Sequence, residues 1–223
     1  MPKLILEKFP LLLLSVASSA VTFLAQRQGI RSIEVIPVWV RVYQAFVSCV
    51  TYVGQMFWPR RLALFYPYPS GRLSIWPFVL AIVVLVAVTA SAFKLRKQRR
   101  YLITGWLWYL GMLVPVIGII QVGSQARGDR YTYLPHIGLY LLVTWAITDF
   151  SVSWRHRREI LTIGAATTII VLTWCARVQT SYWKNSELLW SHTLAVTQAN
   201  ATAHRDLGNV LLKKGQLNDA IFH

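Results

Sequence analysis

The sequence predicts an all-α fold: a polytopic membrane bundle of about six transmembrane helices, followed by the start of a tetratricopeptide-like helical hairpin. Three observations lead there. Of the 223 residues, 23 are Lys or Arg and 8 are Asp or Glu, so 14% are charged, against about 25% in a soluble domain. Six stretches, 9–26, 42–59, 73–93, 101–122, 131–148 and 160–176, contain no Asp, Glu, Lys or Arg over 17 to 22 residues, close to the ~20 that a helix needs to cross a bilayer. Beyond Gln179 the composition returns to mixed polar and apolar. The domains are therefore 1–178, a membrane part, and 179–223, a helical segment outside the membrane.

Each stretch has its own character. The first follows Lys3 and Lys8, which also suits a signal peptide. The second carries Gln44, Ser48, Thr51 and Gln55 at three- or four-residue spacing, a polar stripe that should face other helices and not lipid. The third has nothing that could serve a soluble helix as a polar face. The fourth contains Pro115, which should kink it and free a backbone carbonyl inside the bundle. The fifth and sixth flank Arg155, Arg157 and Arg158.

The net charge of +15 would suggest nucleic acid in a soluble protein, but here the basic residues gather at the ends of apolar runs. They belong to membrane topology, and no nucleic-acid partner is expected. Lys94, Arg96, Lys97, Arg99 and Arg100 join the third and fourth helices, and the positive-inside rule puts that loop and 149–159 in the cytoplasm. Parity places 27–41 inside as well, and 59–72, 123–130 and the tail outside. The expected location is a bacterial inner membrane or endoplasmic reticulum membrane, with the C-terminal tail extracytoplasmic. Trp58, Trp76, Trp174 and Trp183 fall near the outer face, and Trp39, Trp145 and Trp154 near the inner, as in an aromatic belt. Cys49 and Cys175 sit inside apolar runs, and neither a metal nor a disulfide is indicated.

Parity also places Met1 outside, which a first helix flanked by lysines does not favour; further helices are expected upstream. In the tail, His204, Leu207, Gly208, Leu211, Gly215 and Ala220 have the spacing of the first two-thirds of a tetratricopeptide repeat over 203–223. The alternative is a lone amphipathic hairpin. Because such repeats need neighbours to bury their faces, the chain is expected to be part of a longer protein. Asn200-Ala-Thr202 also forms a glycosylation sequon.

Candidate chemistry lies in the outer loops. The segment 121–135 brings together Arg127, Asp129, Arg130, Tyr131 and Tyr133. Two guanidinium forks can hold a phosphate while the tyrosines close the pocket, giving a site for an anionic lipid headgroup. Alternatively, Asp129 pairs with an arginine or caps the fifth helix, and the tyrosines belong to the belt. The loop 59–72 adds Arg60, Arg61, Phe65, Tyr66, Tyr68 and three prolines.

The runs Val21-Thr-Phe-Leu-Ala-Gln26, Val122-Gly-Ser-Gln-Ala-Arg-Gly-Asp-Arg-Tyr-Thr-Tyr-Leu-Pro135 and Tyr182-Trp-Lys-Asn-Ser-Glu-Leu-Leu-Trp-Ser-His-Thr-Leu194 resemble the bacterial relatives of the transmembrane and tetratricopeptide repeat containing O-mannosyltransferases, which join a GT-C type glycosyltransferase domain to a repeat array. The resemblance implies transfer of a sugar from a polyprenyl- or dolichyl-phosphate carrier to a Ser or Thr hydroxyl on the outer or lumenal side. A carboxylate would serve as base, and arginines would stabilise the leaving lipid phosphate. The positions matching the motif are Asp129, Arg130, Tyr131 and Tyr133. Arg127-Gly128 departs from the small or apolar residue and Ala more usual before the Asp-Arg pair. The resemblance also implies a catalytic acid in an earlier outer loop, so this polypeptide alone is expected not to be a competent transferase; Asp129 as the base is the alternative. The lipid bilayer, a lipid-linked sugar and an acceptor protein are the expected partners.

Two other classes compete. A membrane anchor whose outer helices dock a partner protein needs no chemistry at the loops. A transporter would want ionisable residues in mid-helix or broken helices near the midplane, and the six runs contain no such charge.

Overall fold

The computed structural model describes residues 36–69, 71–119 and 125–223, with scattered positions between 9 and 21. The described positions in the first expected span are helical and exposed, and the rest of it lies outside the described residues. The helices that follow are α1 (Val38–Phe57), α2 (Ile75–Leu95), α3 (Arg100–Leu113), α4 (Tyr133–Phe150), α5 (Arg157–Ser181), α6 (Ser186–Val196), α7 (Ala201–Lys213) and α8 (Leu217–Phe222). The fold is thus helical, with one addition: Tyr66–Pro67 (β1) pairs antiparallel with Gln125–Arg127 (β2), tying the segment after α1 to the segment before α4.

Among the described residues, α2 and α5 are long and apolar enough to cross a membrane. Their surfaces agree: only Ala81 and Ala92 of α2 are buried, and no residue of α5 is. Side chains such as Val83, Val86, Ile163, Ile169 and Ile170 lie open on the outside, an apolar surface far larger than water tolerates on a monomer. The other helices are less clear-cut in composition or length. α1 carries its polar stripe, and α3 has 14 residues, which at 1.5 Å per residue falls short of a bilayer.

The fourth expected span is corrected by the structure. Instead of kinking at Pro115 and running on to 122, α3 ends at Leu113 and the chain turns through 114–119. Proline lacks the N–H that would continue the helix. Val116 and Ile117 instead donate to the Leu113 carbonyl, at 2.9 and 2.8 Å, and Gly118 takes φ +89°, a conformation that favours glycine.

The core is built on the polar stripe of α1. Gln44 and Ser48 are buried and bonded to each other at 3.1 Å, beside Ala45, Tyr52, Trp106, Tyr109, Leu113 and Leu139. As expected, then, the stripe faces protein. The Tyr109 hydroxyl donates to the Cys49 carbonyl, and Trp106 Nε1 donates to Thr89 Oγ1 at 2.9 Å, so the aromatic polar atoms within the bundle find partners there. At the opposite end, Tyr101 donates to Asp149 Oδ2 at 2.7 Å. Arg99 adds an ion pair to the same carboxylate, and Arg157 donates to the Thr148 carbonyl at the end of α4, where a cation suits the helix dipole. All seven tryptophans assigned to the belt are exposed.

The tail folds back on the segment that follows α1. α7 and α8 form the expected hairpin, turned at Gly215 with φ +79°. Gly208 lies so close to α8 that a Cβ there would stand 3.4 Å from the Ala220 carbonyl.

Candidate functional site

The site is assembled where residues 58–69, the segment 125–133 and the C-terminal end of α1 meet. Its centre is Asp129. The Asp129 Oδ2 lies 2.9 Å from the Tyr66 hydroxyl, and its Oδ1 accepts from Gln55 Nε2 at 3.3 Å. The same Tyr66 hydroxyl accepts the Ala63 N–H at 2.9 Å and stands 3.1 Å from the Arg61 carbonyl. That turn holds Arg61 at φ +55°, a conformation uncommon for a residue with a side chain.

A second tyrosine fixes the other strand. Tyr52, fully buried on α1, accepts the Gly128 N–H at 3.1 Å and donates to the Gly128 carbonyl at 3.2 Å. Its hydroxyl therefore satisfies both backbone groups of the residue before Asp129. Gly128, where the family resemblance leads one to expect Ala, leaves room for the Tyr131 ring, which a Cβ there would meet at 3.2 Å. The Tyr131 hydroxyl accepts from Gln125 Nε2 at 2.7 Å.

Burial pushes the Asp129 carboxyl above its ordinary range, opposed by the Tyr66 hydrogen bond, the nearby Arg127 charge and the Gln55 amide. Burial, followed by the neighbouring Asp129, likewise holds the Tyr66 phenol well above its usual value. A carboxyl in such a setting binds protons more readily than one in water, which is the property a general base needs.

Two clefts flank this centre. The first, about 530 Å³, opens between the C-terminal ends of α1 and α5 and the N-terminal end of α4; Gln55, Asp129, Arg130, Tyr133, Tyr140 and Trp183 line it, with Leu172 of α5. The second, about 500 Å³, lies between loop 58–74 and residues 196–199, and is lined by Tyr43, Tyr66, Pro67 and Arg127. The Tyr66–Asp129 hydrogen bond is the partition between them.

This arrangement separates residues that the sequence grouped together. Arg127 lies over the Tyr66 ring, 4.2 Å from its centroid, and faces the second cleft. Arg130 lies 5.2 Å from the Tyr131 ring centroid and lines the first. A grip of both guanidinium groups on one phosphate is therefore not formed. Tyr133 is exposed on the rim of the first cleft. Arg60 and Arg61 are exposed and line neither cleft, and Arg61 contributes through its backbone. The alternative reading of Asp129 fails too: among the described residues it pairs with neither arginine, and α4 begins without a side-chain cap. Its partners are Gln55 and Tyr66, 74 and 63 residues away. Both are visible in the sequence, as the end of a polar stripe and as a loop aromatic; that a buried acid needs donors is the one clue joining them.

The tail holds the same loop from the other side. Gln179 Nε2 and His192 Nε2 both reach the Leu62 carbonyl, at 3.3 and 3.1 Å, and His192 stacks on Tyr182 with ring centroids 3.7 Å apart. Asn200, 1% exposed, caps α7 by accepting the Ala203 N–H at 3.0 Å and donates to the Phe65 carbonyl and to Thr197 Oγ1. The sequon asparagine is thus a buried structural residue in the folded chain. Among the described residues, no three His, Cys, Asp or Glu side chains converge where they could hold a metal ion.

No protein-family model matches the chain, and neither a curated protein nor a solved structure matches it.

Proposed function

We propose that this chain is the membrane-embedded portion of a GT-C-like glycosyltransferase, multi-pass with its tail outside, and that its first cleft receives a sugar carried on a polyprenyl or dolichyl phosphate. One observation carries the reading. The cleft joins a cation, Arg130, and a proton-binding acid, Asp129, to an apolar wall that includes Leu172 of the membrane-length helix α5. A ligand with an anionic head and a long apolar tail meets both parts at once, as neither a free sugar phosphate nor a simple hydrocarbon does. Arg130 would hold the phosphate and stabilise it as the leaving group, with Asp129 placed to take the proton of an attacking hydroxyl. The motif resemblance around Asp129 and Arg130 supports the same assignment.

The test is binding of a polyprenyl-phosphate sugar to the chain in nanodiscs. Arg130→Ala is expected to weaken binding by tenfold or more, the order of a charge-assisted hydrogen bond. Arg127→Ala, acting at the other cleft, is expected to change it by no more than about twofold. Binding indifferent to Arg130 would sink the proposal.

A second reading, a membrane-anchored protein that docks a partner through its tail, is favoured by the exposed Leu217, Ile221 and Phe222 of α8. It would take first place if the carrier does not bind.

A further inference from the structure

We propose that Gln55 is a specificity residue of the first cleft, its side-chain oxygen accepting a hydrogen bond from a hydroxyl of the bound headgroup, with Asp129 as the neighbouring acceptor. The inference rests on the reading of that cleft as a carrier site and adds to it the group that recognises what the carrier bears.

The observation is an orphan. Gln55 Nε2 donates to Asp129, but Gln55 Oε1 is shut away from solvent with no hydrogen-bond partner, the one such buried side-chain atom among the described residues. Buried polar atoms are nearly always paired, and an unpaired one costs stability. Turning the amide over offers no remedy, because its oxygen would then face the carboxylate oxygen of Asp129, an acceptor against an acceptor. The residue nevertheless lines the first cleft beside Asp129 and Arg130, so a turn of its side chain would present the oxygen to a donor entering the cleft, which then completes it.

Two donor chemistries could do so, an ammonium or a hydroxyl. Charge decides between them. Arg130 lines the same cleft, and the carrier read into it bears a neutral sugar whose donors are hydroxyls. A positive head would meet the Arg130 cation; a neutral hydroxyl meets two acceptors. The rings of Tyr133, Tyr140 and Trp183 around the cleft give a sugar apolar faces to rest on.

The experiment measures binding to the chain in nanodiscs free of glycoside detergent, with four probes: polyprenyl phosphate, the same carrier bearing one hexose, a phosphate-free alkyl hexoside, and phosphatidylethanolamine. The hexosyl carrier is expected to bind about tenfold tighter than the bare carrier, the worth of one well-made hydrogen bond in a buried site. Gln55→Leu should erase that preference while leaving the bare carrier's affinity in place. Its unfolding midpoint should fall only slightly, since the orphan is removed with the amide while Asp129 loses the Gln55 donor but keeps Tyr66. Equal affinity for the two carriers in the unaltered chain, a preference that survives Gln55→Leu, or a preference for phosphatidylethanolamine would each overturn the assignment. The alkyl hexoside separates this proposal from the carrier reading. Glycoside binding that Gln55→Leu abolishes supports the hydroxyl site even where the bare carrier fails to bind. If the variant does not fold, the comparison of carriers on the unaltered chain still decides.

Discussion

Gly105 and Gly138 face each other across α3 and α4 so closely that a Cβ on either would collide with the backbone carbonyl of the other. Trp108 and Leu142 close the space beside them. Contact at this range lets Cα–H groups meet carbonyl oxygens and is the way small residues bring membrane helices together. Because the obstacle is backbone and not the end of a flexible side chain, a methyl group must push the helices apart. Gly105→Ala or Gly138→Ala should each destabilise the chain by about 1–3 kcal/mol, read as a lower unfolding midpoint in detergent, and the pair together should cost less than the sum because the first spreads the gap for the second. Additive losses, or none, would mean that the two helices do not pack through these glycines.

Asp129 makes stability depend on pH in a definite direction. Its carboxyl is pushed up in the folded chain, chiefly by burial, so the folded state holds the proton more tightly than the unfolded state. The stability contributed by this group is therefore complete below the unfolded value, about pH 4, and is lost as pH rises through the higher folded value. Asp129→Asn removes the titration and keeps an oxygen for Tyr66. Relative to the unaltered chain, that variant should gain stability as pH is raised from 4 to 8, by roughly 2–4 °C in unfolding midpoint if about 1 kcal/mol is recovered. A difference between the two that does not vary over this range would contradict the burial argument.

Asn200 joins the tail to the loop behind Tyr66, through the α7 cap, the Phe65 carbonyl and Thr197. Asn200→Ala removes all three bonds and leaves the Phe65 carbonyl and the first turn of α7 without partners. A cost of about 1–3 kcal/mol is expected, seen as faster proteolytic cutting near 197–200. Expressed where glycosylation operates, the folded chain should carry no glycan at this position, since both amide protons are already donated; a mass shift lost on Asn200→Gln would show the opposite.

The parts of this arrangement that the sequence makes legible are those set by local pattern. The run 73–93 corresponds to α2 at Ile75–Leu95 and the run 131–148 to α4 at Tyr133–Phe150, because an unbroken apolar stretch leaves a chain few choices but a helix. The stripe on α1 and the hairpin of α7 and α8 follow from periodicity in the same way. The end of α3 is not legible in the same way, because a proline in an apolar run reads as a kink inside a bundle, whereas Gly118 just beyond Pro115 allows the chain to turn away. What pattern could not supply is pairing at a distance. Nothing near Asp129 in sequence identifies Tyr66 as its donor, and the nearness of Arg127 to Arg130 suggests a shared ligand until the Tyr66–Asp129 bond is seen to stand between their clefts.

The Leu62 carbonyl carries the last prediction, because it is the point where the tail can act on the site. It accepts from both Gln179 at the end of α5 and His192 on α6, and Leu62 itself lines the first cleft with Ala63 and Leu64. Four residues on, Tyr66 bonds Asp129. His192→Phe preserves an aromatic ring to stack on Tyr182 but removes one of the two donors. Since a carbonyl with a remaining partner is not orphaned, the loss should be small, about 0.5–1.5 kcal/mol. Gln179→Leu on the same background takes the second donor, strands the carbonyl and should cost more than the two single changes together. Amide hydrogen exchange of loop 58–69 distinguishes this from a general loss of stability: faster exchange there, with α2 and α3 unchanged, places the effect in the clasp, whereas uniform acceleration would assign it to the whole fold.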